Sequence, residues 1–178
     1  LSLVLDSVID TLVLTLIGAS GFLVFAYWVL EGRPSLALVN IVPIVVTVVA
    51  LVASMRALGI AFNAINGTIL AIAIGIGIDY AVHVVHRYVD EREHLAVVPA
   101  LDRTVRGTGG ALLGSMLTTT FGIGVLALAL FPILQQFGII TALAIFFSFL
   151  SSLLVLPSVL LVWDHLAIHD GTLAPLFG

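Results

Sequence analysis

Long apolar runs separated by short polar links set the pattern of this chain. No charge interrupts TLVLTLIGASGFLVFAYWVL from Thr11 to Leu30, and a second uncharged run covers Ser35 to Met55. A third, TILAIAIGIGIDYAVHVVHRY from Thr68 to Tyr88, carries a single acid, and Gly107 to Trp163 contains no charged residue at all. A helix crosses the roughly 30 Å hydrocarbon core with about 20 apolar residues. The last run is therefore too long for one crossing, and FPILQQFG, around Pro132, Gln135 and Gln136, supplies the break. The pattern predicts five transmembrane helices over residues 8–30, 35–56, 66–87, 109–131 and 137–162.

The links refine this picture. Tyr27 and Trp28 suit an interfacial aromatic belt at the end of the first span. EGRP leads into the second, where Pro43 removes an amide donor and predicts a kink. Arg56 to Asn63 reads as a tight turn, with Asn63 or Asn66 as N-cap of the third span. Asp90 to Arg106 holds most of the charge, yet places Ala96, Val97, Ala100, Leu101, Thr104 and Val105 at helical spacing. It is expected as an amphipathic helix on the cytoplasmic membrane surface. Pro157 falls near the end of the last span, and the tail after it is too polar for another crossing.

Composition agrees with the pattern: of 178 residues, 61% are hydrophobic and only 9% charged, a balance foreign to water-soluble domains. The expected fold is all-α, a polytopic membrane helix bundle forming a single transmembrane domain over residues 1–178. A net charge of -4 with no basic run excludes nucleic acid as a partner, and without cysteine the redox compartment is unreadable. The opening LSLVLDSVID has no basic region ahead of its apolar residues, so it does not read as a signal peptide, and the chain is expected to be excised from a longer protein. Alternating crossings put Arg33, Arg87, Arg92, Arg103 and Arg106 on one side and Arg56 on the other. By the positive-inside rule the first side is cytoplasmic, with the N-terminus outside, the C-terminus inside and the cell membrane as location.

One residue conflicts with its surroundings. Asp79 falls about 2 residues past the middle of the third span, hence about 3 Å from the bilayer midplane. A short acid cannot snorkel from that depth, and insertion there is unfavourable by roughly 2.5–3.5 kcal/mol, so a partner, a proton, a water-filled cavity or a function must account for it. At 100° per residue Thr68, Ile72, Gly75, Asp79, His83 and His86 share one face, and Tyr80 sits beside it. A carboxyl and imidazoles in such a track can pass protons along. The competing reading pairs Asp79 structurally with another helix. A metal site built from Asp79, His83 and His86 is disfavoured, because no second cluster completes the shell.

In the fourth span Gly110, Gly114, Thr118 and Gly122 recur every fourth residue. Together with Gly75 and Gly77 they predict a close helix seam. Thr118 and Thr119 are expected at the depth of Asp79, within reach of its carboxyl or bonded to their own backbone.

GIGIDYAVHVVHRY, preceded by FNAINGT and followed by GGALLGSMLTTTFGIGVLAL, resembles the resistance-nodulation-division (RND) superfamily. Within it, the likeness is to the lipid and hydrophobic-compound exporters that include the mycobacterial large membrane proteins. The likeness covers nearly the whole chain, most specifically at Gly75, Gly77, Asp79 and Tyr80. It implies one five-span half of an exporter driven by the proton-motive force, similar to a sterol-sensing domain. Asp79 and Tyr80 would then be the proton relay; His83 and His86 are not part of that core motif, and it is the shared helical face that adds His83 to the proton-coupling set and, with depth, makes His86, Thr118 and Thr119 candidate relay or partner residues. The implied partners are protons, membrane lipids, a hydrophobic or lipid substrate and the transporter's other half. No cofactor, no resident metal and no covalent catalysis are implied. A rival reading keeps the fold and makes it a lipid-sensing module without active transport.

Overall fold

A computed structural model describes residues 35–61 and 64–169, together with isolated positions between 10 and 21. The first expected span, 8–30, the Tyr27–Trp28 belt and the N-cap candidate Asn63 lie outside the described residues. Among those described, every regular element is helical: α1 Ser35–Ala57, α2 Ala64–Arg92, α3 Val97–Gly124, a 3₁₀ turn Val125–Leu128, α4 Pro132–Leu154 and α5 Leu156–His169. Four helical stretches are long and apolar enough to cross a membrane, Leu38–Ala57, Asn66–Arg92, Val97–Leu128 and Pro132–His165.

α1 runs unbroken through Pro43. The Pro43 carbonyl accepts hydroxyl hydrogen bonds from Thr47 at 2.8 Å and from Ser151 of α4 at 3.1 Å, so the proline is also a point of attachment between helices. Leu36, Asn40, Ile44, Thr47, Leu51 and Met55 form its buried stripe, three or four residues apart. The helix ends at Gly59, whose φ of 69° is open to glycine without strain. Gly59 N–H donates to Arg56 and Ile60 N–H to Met55, the paired bonds of a glycine-terminated helix. Asn66 is not an N-cap. It lies inside α2, buried, with its amide donating to the Ala61 carbonyl at 2.7 Å and so tying the turn to the helix.

α2 is 29 residues long, about 43 Å at helical rise, and so outruns the hydrocarbon core. The separate surface helix expected over Asp90–Arg106 is accordingly absent. Asp90 to Arg92 complete α2, a turn reverses the chain, and Val97 to Arg106 are the opening turns of the 28-residue α3. Pro99 lies in the first turn of α3, where a missing N–H breaks no helical bond. The apolar face read there does exist, but Ala100 and Thr104 turn into the bundle rather than onto a membrane surface.

The break after α3 also falls earlier than FPILQQFG suggested. α3 gives way to the 3₁₀ turn at Val125, and Pro132 already opens α4. Gly138 explains the position: a Cβ there would stand 2.7 Å from the Ala127 nitrogen and 2.8 Å from the Leu126 Cβ. The chain folds back directly over a glycine. α4 is the hub, packing on α2, α3, α1 and α5 and burying Ile140, Ala144, Ile145 and Phe149. At Val155 the helix is interrupted and α5 restarts, because Pro157 cannot donate the bond that would continue it.

Candidate functional site

The short turn between α2 and α3 makes the two helices antiparallel neighbours, and mid-way along them a cavity of about 440 Å³ opens. Asp79, Tyr80 and His83 of α2 line it, facing Thr108, Ser115 and Thr119 of α3. The helical period accounts for the α2 side, since positions 76, 79, 80 and 83 share a face. Within that set the side chains divide. Tyr80 is buried, its ring edge-on to Phe149 of α4 with centroids 6.1 Å apart and planes at 81°. Asp79 and His83 are exposed, and Asp79 makes no hydrogen bond or ion pair among the described residues. Without a partner among the described residues, Asp79 thus opens from an apolar span into a space lined in part by hydroxyls, one of the surroundings that its depth requires.

Other expected site residues are placed differently. His86 is exposed and does not line the cavity. The Thr118 hydroxyl donates to the Gly114 carbonyl and that of Thr119 to Ser115, both at 2.8 Å. Each takes the carbonyl one turn back, the nearest acceptor to a helical threonine, so neither is bonded to Asp79. Thr119 still reaches the cavity wall, whereas Thr118 does not.

The expected glycine seam is not formed by these residues. Among the described residues, a Cβ at Gly75, Gly110, Gly114 or Gly122 would meet nothing within 4 Å: all four are exposed there, and the cavity separates α2 from α3 nearby. Gly77 is outside the residues whose surroundings are described. Among the described residues no three of His, Cys, Asp and Glu gather to hold a metal ion.

Sequence reasoning missed Thr108 and Ser115, which carry no signal beyond their helical register with Thr119. It also missed a second polar centre. Asp164 of α5, 1% exposed, accepts hydrogen bonds from the Tyr88 hydroxyl at 2.6 Å and from Arg92 Nε at 2.7 Å and Nη2 at 3.3 Å. Arg92 also donates to the Leu95 carbonyl at 3.0 Å. The available signal was that Asp164 is the first charge after the uncharged run from Gly107.

The sequence pattern described as the MMPL family matches residues 33–167. A Methanocaldococcus jannaschii protein described as a membrane protein is 28% identical over 152 residues, 85% of this chain and 39% of the relative. An apo-petrobactin exporter of Bacillus anthracis is 32% identical over 97 residues, 52% of this chain and 13% of the relative. The chain thus spans well under half the length of these two curated relatives.

Proposed function

Because this chain belongs to the MMPL family, we propose that it is one half of the membrane domain of a proton-driven exporter of lipids or hydrophobic compounds, with Asp79 as the coupling carboxylate. The observation that carries the reading is the cavity in which Asp79, without a partner among the described residues, stands beside Tyr80, His83 and the hydroxyl-bearing wall of α3. A membrane potential supplies about 2.3 kcal/mol per charge per 100 mV. A carboxyl near the midplane that gains and loses a proton as α2 and α3 shift would draw on that energy. Tyr80, fixed against Phe149, would orient or relay, and His83 would extend the path toward the arginine-rich end. The exporter name of one relative supports a transporter-like role. The proposed orientation has the turn between α2 and α3 in the cytoplasm and Gln135 outside.

The test uses the complete protein in proteoliposomes with an imposed proton gradient, following movement of a hydrophobic fluorescent dye. Asp79→Asn keeps shape and polarity but cannot ionise; it is expected to insert at near-normal levels and lose gradient-driven movement, whereas His86→Asn keeps a substantial part. Undiminished gradient-driven transport by well-folded Asp79→Asn would overturn the relay assignment. Wild-type transport that ignores collapse of the gradient would favour the lipid-sensing alternative. For orientation, a single cysteine at Gln135 is expected to be labelled from outside, and labelling from the cytoplasm alone would reverse it.

A further inference from the structure

At the end of the bundle that carries Arg87, Arg92, Arg103 and Arg106, α2 and α3 border a second, open cavity of about 520 Å³. Its wall presents three guanidinium groups, Arg87 from α2 and Arg103 and Arg106 from α3, against one carboxylate, Asp102. Leu95, Pro99 and Gly107 complete it with apolar surface.

A single buried acid organises two of these arginines. Glu91 holds Arg87 Nη2 at 2.5 Å on one oxygen and Arg103 Nε at 3.4 Å on the other, bridging the two helices. A guanidinium has five N–H donors, so one contact apiece with Glu91 leaves both forks with donors to offer. Arg106 pairs with Asp102, an exposed pair that contributes little and exchanges readily. Asp90 and Glu93 line a neighbouring cleft that shares the Arg87–Glu91–Arg103 bridge as its wall, not this cavity.

The depth is also informative. Arg87 follows Asp79 by about 12 Å at helical rise, close to the roughly 15 Å half-thickness of the hydrocarbon core, so the cavity opens at headgroup level. Planar guanidinium forks match phosphate oxygens two at a time, and basic pockets between helices at the membrane surface suit anionic headgroups. We propose that this pocket binds the phosphate group of an anion, supplied either by an anionic lipid headgroup or by free phosphate. The apolar wall beside the arginines favours the lipid, whose glycerol and first methylenes would lie against Leu95 and Pro99.

The experiment measures thermal stability of the complete protein in a neutral detergent, titrated with dioleoyl phosphatidylglycerol, with dioleoyl phosphatidylcholine or with inorganic phosphate. The Arg103 and Arg106 side chains are 66% and 80% exposed, so the double variant Arg103→Gln/Arg106→Gln should keep the fold. Phosphatidylglycerol is expected to raise the melting temperature of the wild type, phosphatidylcholine to leave it unchanged, and the double variant to need about tenfold more phosphatidylglycerol. Arg56→Gln, which removes the arginine in the last turn of α1 and outside this pocket, should respond as the wild type does. A rise with inorganic phosphate that the double variant loses would support the site with a soluble source. No rise with either probe, or a rise that the double variant retains in full, would overturn the proposal.

Discussion

Asp79 and Asp164 place the same side chain in two apolar helices and meet opposite surroundings. Asp164 is buried near the arginine-rich end of the bundle, with a tyrosine hydroxyl and a guanidinium fork on its two oxygens. Asp79 stands mid-span in an open cavity with neither. The worth of a buried carboxylate so engaged lies in joining α2 to α5. A carboxylate with no partner contributes nothing of that kind to the fold. Burial alone therefore does not identify the acid that works. In the proposed function the acid without a partner among the described residues is the one that couples, and the paired one fixes the end of the helix on which it rides.

The sharpest way to break this contrast is to neutralise each acid in turn and measure unfolding in detergent. Asp164→Asn should cost about 3–5 kcal/mol, since it removes the buried half of an ion pair with the partly buried Arg92 guanidinium. Asp79→Asn should change stability by less than about 0.5 kcal/mol, as for a site with no engaged partner. Equal losses at the two positions would remove the distinction.

Tyr88→Phe deletes one hydrogen bond to the same carboxylate and keeps the ring. A loss of about 1.5–3 kcal/mol is expected, with dye transport affected far less than by Asp79→Asn. A Tyr88→Phe protein as stable as the wild type would show that Arg92 alone holds Asp164.

A smaller contrast concerns glycines. Gly138→Ala should cost about 1–3 kcal/mol, because the new methyl meets backbone at the α3–α4 fold-back, which cannot rotate away. Gly114→Ala, into open space, should stay within about 0.5 kcal/mol. If Gly114→Ala proves the more damaging, a surface of the larger assembly covers that stripe.

The residues show how far the pattern could be read. Asp79 was legible because a lone acid contradicts an otherwise apolar run, a conflict visible without coordinates. Tyr80 and His83 followed from helical period. Thr118 and Thr119 were placed at the depth of Asp79 with two outcomes open, its carboxyl or their own backbone; depth cannot say which way a hydroxyl turns, and a carbonyl one turn back took both. The glycine stripe was real as spacing, but spacing shows only that a face is small, not which neighbour meets it. Gly138, the one glycine among those described whose added Cβ would come within 3 Å of its neighbours, belongs to no repeat and gave no sign.

By itself, the sequence determined that the chain is a helical membrane domain, which of the described stretches are apolar enough to cross and which acid is out of place, because each follows from hydrophobicity and period along one segment. Tertiary structure alone decided that Asp90–Arg106 joins two long helices instead of forming its own, that α4 is the hub, that Asp164 is clasped and that Asp79 opens onto a cavity. These depend on contacts between segments tens of residues apart, where small differences in packing and hydrogen bonding select one partner among several that a linear pattern leaves equivalent.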